Sequence, residues 1–248
     1  MTSDHSPSSD KERIAKFLAR AGVGSRRDVE RMILEGRVKV NGEILTTPAC
    51  LVGGDDKIDV DGSSISIKEP TRVWLYYKPV GLVTTHKDPE GRETVFECLP
   101  KDMPRVISVG RLDLNSEGLL LLTNSGEFAH MAEHPKTGWS RTYRVRVYGD
   151  VDEHALNQLK DGITVDGIHY KSITAELSSR SNRNAWILMT LHEGKNREIR
   201  KVMNHLGLQV NRLIRVSYGP FELGKMEPEN IREVSQNMLD KVLKDSRK

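Results

Sequence analysis

Cysteine is scarce in this sequence, and long apolar segments are missing from it. The two cysteines, Cys50 and Cys98, lie far apart and in no metal-like spacing, which argues against a disulfide framework and against a zinc ribbon. No apolar run approaches the ~20 residues that a membrane helix needs. We therefore expect a cytoplasmic protein without membrane contact, in which each cysteine is a small apolar residue that is at least partly buried.

Two further kinds of segment are also missing. Residues 1–10, MTSDHSPSSD, are polar and lack the apolar core of a secretory signal, so we expect a disordered tail there. The sequence contains neither a G-x-x-x-x-G-K-[ST] phosphate loop nor a dinucleotide-binding fingerprint. This favours chemistry that needs neither ATP nor a nicotinamide or flavin cofactor.

The charge of the chain is nearly balanced overall but is unevenly distributed. Hydrophobic residues make up 37%, charged residues 29%, and the net charge is +3, as expected for a soluble globular protein. Residues 11–40 contain nine Lys/Arg and four Asp/Glu, residues 136–146 contain four and none, and residues 195–215 contain six and one. One such segment commonly just solvates a helix surface, but three of them favour a surface that binds nucleic acid.

The first part of the chain has the pattern of a small domain with two helices and a hairpin. Apolar residues at helical spacing predict a helix that includes Ile14, and a capping box at Ser25 predicts the start of a second helix. The Asn41-Gly42 pair predicts a hairpin turn. The polar residues 62–72 read as a linker.

The pattern IAKFLARAGVGSRRDVERMILEGRVKVNG resembles the S4-type RNA-binding domain. The resemblance implies a small α/β domain over residues 11–70, whose helices and hairpin present basic side chains to structured RNA. Contacts of this kind position a protein on RNA without reading its sequence. The candidate residues are Arg20, Arg26, Arg27, Arg31, Arg37 and Lys39.

A larger domain is expected over residues 73–228. Alternating or continuous apolar runs predict strands at VWLYYK, at residues 118–123, at RTYRVRVYG and at AWILMTLHE, and a helix at NREIRKVMNHLG. Strands outnumber helices and do not alternate strictly with them, which predicts an α+β fold with a mixed, largely antiparallel sheet. Residues 229–248 read as a charged, helical tail.

Four motifs of this second domain carry a further resemblance. The segments GRLDLNSEGLLLLTNSGEFAHMAEHP, RTYRVRV, LHEGKNREIRKVMNHLG and VNRLIRVSYG occur in that order. They resemble the pseudouridine synthases, in particular the branch that modifies ribosomal RNA of the small and large subunits. Within that branch, EGKNREIRKV and RLIRVSYG are more similar to the large-subunit enzymes. The resemblance implies the pseudouridine synthase fold and an isomerase that needs neither metal nor cofactor.

The resemblance also implies a catalytic centre. Asp113 matches the catalytic aspartate, which acts either as a nucleophile at the ribose or as a base that removes a ribose proton. An ionised carboxylate in a desolvated site needs a cationic partner, and Arg200 matches the family's basic residue in that role. Lys195 and Arg197 are alternative partners in the same segment. Tyr143 matches the tyrosine that stacks on the target base.

The remaining site residues are expected to hold the substrate. By resemblance, Arg111 helps to keep the nucleotide out of its helix, an extrusion that costs a few kcal/mol. Leu213 matches the apolar residue that lines the uracil pocket. If Lys195 and Arg197 do not pair with the aspartate, they are expected to contact RNA. The expected partner is ribosomal RNA or a ribosome assembly intermediate, bound by a monomer.

Two other functions are compatible with parts of the sequence. His130, Glu133 and His134 spell the inverted zinc-peptidase pattern H-x-x-E-H, but Pro135 ends the helix at once and no persuasive third ligand follows. The second alternative is an RNA-binding or ribosome-assembly factor that keeps the fold without the activity. This alternative differs from the enzyme only in what Asp113 does.

Overall fold

The computed structural model describes residues 11–65 and 70–246. The expected disordered tail, residues 1–10, lies outside these ranges. The chain divides into two compact units, Met1–Pro70 and Thr71–Lys248. The segment that reads as a linker contains a strand, Ser63–Ile65, which pairs within the first unit. Among the helices of the described residues, none combines the length and the apolarity that a membrane crossing requires.

The first unit packs two short helices against small sheets. Its elements are β1 (Glu12–Arg13), α1 (Ile14–Arg20), α2 (Arg26–Leu34), β2 (Val38–Val40), β3 (Glu43–Ile44), β4 (Leu51–Val52), β5 (Ile58–Val60) and β6 (Ser63–Ile65). The predicted capping box is present, because Ser25 and Asp28 exchange side chain–backbone hydrogen bonds. The predicted hairpin turn is also present, with φ of 54° at Asn41 and 90° at Gly42. Four of the strands form a sheet in the order β3-β2-β5-β6, and β1 pairs with β4.

The second unit is built on a nine-stranded sheet. Its elements are β7 (Val73–Lys78), β8 (Ile107–Val109), β9 (Glu117–Thr123), α3 (Gly126–Glu133), β10 (Arg141–Tyr148), α4 (Glu153–Gln158), β11 (Ile163–Val165), β12 (Ile168–Tyr170), β13 (Ile173–Ser181), β14 (Asn184–Leu191), α5 (Glu198–His205), β15 (Gln209–Tyr218), β16 (Phe221–Glu222), β17 (Ile231–Glu233) and α6 (Gln236–Asp245). The main path of the sheet is β13-β14-β10-β15-β9-β7-β17. β9 and β15 run parallel, and the other pairs are antiparallel. The α+β class and the mixed, largely antiparallel sheet are therefore confirmed.

Two hydrophobic cores cover the two faces of this sheet. β10 contributes to one of them only, because Tyr143, Val145 and Val147 are buried while Arg144 and Arg146 on its other face are exposed. The core on the side of Tyr143 includes residues of α4 and α5, and the core on the other side includes residues of α3 and α6. β9 is buried along its whole length because it faces both cores. β7, which is also buried along its whole length, and β9 are thereby covered on both faces.

The C-terminal segment differs from the expected separate tail. Ile231–Glu233 forms β17, which pairs with β7 at the edge of the sheet. α6 buries Leu239 and Val242 in the core that also holds α3. The many charges of this segment concealed a short apolar pattern that covers the sheet. The second compact unit therefore includes the segment after residue 228, which packs on the sheet.

Candidate active site

The loop that carries Asp113 connects β8 to β9, and a buried lysine donates hydrogen bonds to its backbone. The Nζ atom of Lys78, which is fully buried, donates hydrogen bonds to the carbonyl oxygens of Pro79 (2.8 Å), Asp113 (3.2 Å) and Ser116 (2.9 Å). Burial lowers the pKa of the Lys78 ammonium to about 8, against the opposing charge of Asp113. At the start of the loop, the Gly110 N–H donates to Glu133 Oε1 at 2.8 Å. The backbone that presents the Asp113 side chain is thus tied at both ends.

This loop forms one wall of a cavity of about 380 Å³. β10, β15 and the start of α5 form the other walls. The cavity brings together every residue that the sequence predicts to be catalytic or substrate-binding, namely Arg111, Asp113, Tyr143, Lys195, Arg197, Arg200 and Leu213.

The ionic partner of Asp113 differs from the expected one. Among the described residues, Arg197 is the cation within ion-pair distance of this carboxylate, with Nη1 3.9 Å from Oδ2. Arg200 instead donates to the carbonyl oxygens of Asn115 (2.8 Å) and Val210 (3.2 Å). The predicted direct pairing of Arg200 with Asp113 is therefore wrong for this structure, and the alternative, Arg197, takes that place.

Arg200 still belongs to the electrostatic surroundings of the carboxylate. Burial lowers the pKa of its guanidinium, the charge of Arg197 lowers it further, and the charge of Asp113 acts in the opposite direction. Its hydrogen bond to Asn115, two residues after Asp113, links α5 to the loop. Arg200 is thus placed to hold the loop and to contribute positive potential.

β10 and β15 place the side chains at the base of the cavity. Tyr143 is 9% exposed and lies directly opposite Arg215 across the two strands. Leu213, two residues before Arg215, is 7% exposed and faces the same cavity. An aromatic ring and an aliphatic side chain at this position fit a flat heterocyclic base.

The segment before α5 places two cations near the mouth of the cavity. Arg197 has a left-handed backbone, with φ of 51°, immediately before the helix begins. Lys195 Nζ donates to the His169 carbonyl at 2.5 Å and to Glu193 Oε1 at 3.0 Å. Arg111 is exposed on the opposite wall. Of these three, Lys195 is the most strongly engaged within the protein.

Sequence reasoning missed four ionisable residues of the site: Lys78, Arg141, Glu198 and Arg215. Glu198 is 4% exposed, and its Oε2 atom accepts from the Lys195 backbone N–H at 3.1 Å. Burial, followed by the charge of Glu193, raises the pKa of the Glu198 carboxyl to about 7. A signal for Arg215 was available, because it lies two residues after Leu213 on the same strand and therefore on the same face.

The H-x-x-E-H residues have other contacts. Glu133 Oε1 accepts the hydrogen bond from Gly110, and His134 Nδ1 accepts one from the Lys136 backbone at 3.2 Å. Across residues 11–65 and 70–246, no group of three or more His, Cys, Asp or Glu side chains is arranged to hold a metal ion.

The six basic residues predicted to bind RNA in the first unit are all exposed. Three of them form ion pairs with nearby carboxylates: Arg20 with Glu12, Arg31 with Asp28, and Arg37 with Asp61. For the other three, the described residues offer no ion-pair partner. These are Arg26, Arg27 and Lys39.

Arg26 and Arg27 occupy the first turn of α2. The N-terminus of a helix carries a positive partial charge, so cations there are unfavourable for the isolated helix. An anionic ligand such as RNA phosphate relieves this repulsion, which makes the pair the strongest RNA-contact candidates in the first unit.

Known proteins share both the sequence and the fold of this chain. Residues 72–205 match the family model for RNA pseudouridylate synthase, and residues 12–58 match the S4 domain. An RNA pseudouridine synthase of Rickettsia prowazekii is 48% identical over 231 residues, which cover 93% of this chain and 97% of that protein. The ribosomal large subunit pseudouridine synthase B of Salmonella typhi is 45% identical over 229 residues, covering 88% of this chain and 77% of that protein.

A solved structure gives the same result for the fold. A crystal structure of a pseudouridylate synthase aligns with a TM-score of 0.64 at 26% identity, covering 93% of this chain and 99% of that one. The identities, the coverage and the two family models agree with the cavity formed around the Asp113 loop. The chain belongs to the RNA pseudouridylate synthase family, carries an N-terminal S4 domain, and is an isomerase of uridine in RNA.

Proposed function

We propose that this protein converts a uridine of large-subunit ribosomal RNA to pseudouridine, with Asp113 as the catalytic carboxylate. One observation carries the assignment of the residue. Asp113 shares a single cavity with Tyr143, Leu213 and two arginines, Arg197 and Arg200. The choice of RNA is supported by the name of the Salmonella relative, a large-subunit enzyme of 45% identity.

The arrangement matches the chemical needs of the reaction. The bond between ribose C1′ and uracil N1 breaks, the base turns, and a bond between C1′ and C5 forms, with no change in oxidation state. Asp113 must be ionised to attack C1′ or to remove a ribose proton. Arg197, with Nη1 3.9 Å from Oδ2 of Asp113, offers a positive charge next to the carboxylate, and Arg200 lines the same cavity.

The other residues of the cavity hold the nucleotide. Stacking on Tyr143 contributes ~1–3 kcal/mol for a base, which offsets part of the cost of extruding the nucleotide from its helix. Leu213 closes the pocket beside the ring. Arg111, which is exposed, would hold the extruded nucleotide, and Lys195, which does not pair with Asp113, would contact phosphates.

The first unit would bring the RNA to the enzyme. Arg26, Arg27 and Lys39 are exposed cations without an ion-pair partner among the described residues, and phosphate contacts from such side chains supply affinity rather than sequence choice. A ribosomal RNA or an assembly intermediate offers the folded RNA that this module requires.

The decisive experiment is Asp113→Asn. Asn has the same shape but can neither attack ribose nor remove a proton, so we expect pseudouridine formation on large-subunit RNA to be abolished while the Kd for RNA changes less than about threefold. The alternative, an RNA-binding assembly factor, predicts that the wild-type protein forms no pseudouridine. Wild-type turnover by the variant would refute the assignment of Asp113.

A second experiment tests the choice of RNA. Pseudouridines are mapped on both ribosomal RNAs from cells with and without this protein. We expect a site to disappear from the large-subunit RNA alone. Loss of a site from the small-subunit RNA, with the large-subunit RNA unchanged, would contradict the proposed substrate and leave the role of Asp113 open to the first experiment.

A further inference from the structure

Arg215 is a buried cation whose charge is not neutralised by the protein around it. Its side chain is 2% exposed, and its Nε donates to the Leu119 carbonyl at 2.7 Å. Its Nη2 is buried and has no hydrogen-bond partner. No carboxylate in the described ranges lies within ion-pair distance of it. A buried charge with unmet hydrogen-bonding capacity is destabilising, so its retention in the cavity points to a ligand.

The position of Arg215 identifies the part of the substrate that it meets. Arg215 lies opposite Tyr143 across β10 and β15, and both line the cavity. A base stacked on Tyr143 would therefore be a direct neighbour of this guanidinium, while Asp113 would act on the ribose. The backbone of β15 is fixed at this point, because Arg215 is in register with Gly118 of the buried strand β9.

Tyr218 holds the guanidinium from one side. The Arg215 Cζ atom lies 5.1 Å from the centroid of the Tyr218 ring, and the Arg141 Cζ atom lies 4.6 Å from the same centroid. The Tyr218 hydroxyl is already engaged with Arg141 and with the Ala132 carbonyl. The ring therefore orients Arg215 by cation–π contact, and the guanidinium, which lines the cavity, keeps unmet hydrogen-bonding capacity.

The reaction creates a negative charge next to this position. When C1′–N1 breaks, the electron pair of the bond stays with uracil and spreads from N1 to the carbonyl oxygens O2 and O4. This holds whether Asp113 attacks C1′ or removes a ribose proton first. Leu213 has no hydrogen-bond donor, and a base stacked on the face of the Tyr143 ring lies out of line with the Tyr143 hydroxyl, which is in the plane of that ring. Fixed donors aimed at developing charge contribute strongly to catalysis in a water-poor site.

We propose that Arg215 is a further catalytic residue, whose guanidinium donates a hydrogen bond to a uracil carbonyl oxygen and stabilises the base as an anion while C1′–N1 is broken. The inference rests on the proposed function of the Asp113 cavity. In the cleavage step the electron pair passes to uracil, and Asp113 either bonds to C1′ or takes the ribose proton. When C5 attacks C1′, this pair forms the C1′–C5 bond, while the Asp113–C1′ bond breaks and its electrons return to the carboxylate, or, on the other route, Asp113 returns its proton to the ribose. The C5 proton then leaves to solvent, and N1 takes up a proton from solvent.

The test compares two leaving groups in the variant Arg215→Met. Single-turnover consumption of the target nucleotide is measured at saturating RNA, with uridine or 5-fluorouridine at the target. Fluorine makes the ring nitrogen more acidic, so the 5-fluorouracil anion needs less stabilisation. We expect the variant to consume uridine about 10²–10³-fold more slowly, the usual effect of losing one such donor, and to lose at least fivefold less on 5-fluorouridine.

Several outcomes would overturn the proposal. An equal loss on both substrates, or an effect on the Kd for RNA alone, would make Arg215 a structural residue or a phosphate contact. If Arg215→Met does not fold, Arg215→Lys retains a cation, and we expect about a tenfold loss on uridine and at least threefold less on 5-fluorouridine. Equal losses in that variant would refute the proposal as well.

Two controls separate this inference from the assignment of the site. Arg146→Met removes an exposed arginine from the other face of β10, and we expect unchanged rates on both substrates. Asp113→Asn should abolish consumption of uridine. If Asp113→Asn is inactive and Arg215→Met retains the wild-type rate, only the role of Arg215 is refuted. If Asp113→Asn is active, the proposed function itself fails.

Discussion

Replacement of Glu198 by Gln tests the electrostatics of the cavity through stability alone. Glu198 is 4% exposed at the start of α5, and one of its carboxyl oxygens, Oε1, is buried without a hydrogen-bond partner. Burial and then the charge of Glu193 raise the pKa of its carboxyl from 4.5 to about 7. Gln has nearly the same shape and can accept the same backbone hydrogen bond, but it cannot ionise.

The sign and size of the effect follow from linkage. Because the folded-state pKa of Glu198 is raised, the folded protein binds a proton that the unfolded chain releases between pH 4.5 and 7, and stability falls as pH rises through this window. Each unit of pKa corresponds to about 1.4 kcal/mol. Glu198→Gln should therefore be more stable than wild type by under about 1 kcal/mol at pH 5, and by about 3 kcal/mol at pH 8.

Tryptophan fluorescence in urea is the suitable assay. All three tryptophans, Trp74, Trp139 and Trp186, lie in the second unit, so their signal follows the unfolding of that unit and gives its free energy by linear extrapolation. Glu176→Gln, on an exposed position of β13, is the matched control and should show no such trend. If the two stability curves of wild type and Glu198→Gln run parallel from pH 5 to pH 8, the buried-carboxyl reasoning is wrong.

Two further changes test the backbone and the lysine that hold the Asp113 loop, and a third tests the RNA contacts of the first unit. Gly118→Ala places a Cβ against the backbone of β15 at φ of 100° and should destabilise the second unit by ~3 kcal/mol or more, whereas Gly126→Ala, which has open space around it, should be within ~0.5 kcal/mol of wild type in the same urea assay. Lys78→Met leaves the carbonyl oxygens of Pro79, Asp113 and Ser116 without their donor. It should lower the free energy of unfolding by ~3 kcal/mol and lower the activity at saturating RNA. Arg26→Ala combined with Arg27→Ala should weaken RNA binding about uniformly across sequences and reduce the slope of log Kd against log salt by ~1–2; an unchanged slope would exclude phosphate contacts there.

Local rules were sufficient for much of the fold. The capping box at Ser25, the Asn41-Gly42 turn and the alternation of β10 all depend on interactions within a few residues or on burial of one strand face. The motif order was equally informative, since the loop of Asp113 and the strand of Tyr143 meet in one cavity. The residues that determine each of the local features lie within the segment that forms it, so the sequence pattern of that segment is enough to predict it.

Tertiary contacts decided the remainder. The choice between Arg197 and Arg200 depends on the left-handed backbone at Arg197 and on the Asn115 carbonyl, which takes the Arg200 hydrogen bond from 85 positions away. The strand Ile231–Glu233 exists because the edge of β7, far earlier in the chain, is available for pairing. The hydrophobic periodicity of residues 195–215 or of residues 229–248 cannot predict these contacts, because their partners lie far away in the sequence.

The balance of charge in the cavity connects binding to catalysis. Six basic and three acidic side chains line it, and one of the acids, Glu198, is half-neutralised near pH 7 by its raised pKa. The excess positive charge attracts RNA phosphate at the mouth, where Arg111 and Arg197 are exposed. Deeper in, positive charge of the same kind lies beside Asp113 and, in our proposal, beside the base at Arg215. The excess positive charge of the empty cavity is unfavourable, and a bound polyanion neutralises it. The free energy of RNA binding therefore offsets the cost of burying the Arg215 cation that meets the departing base.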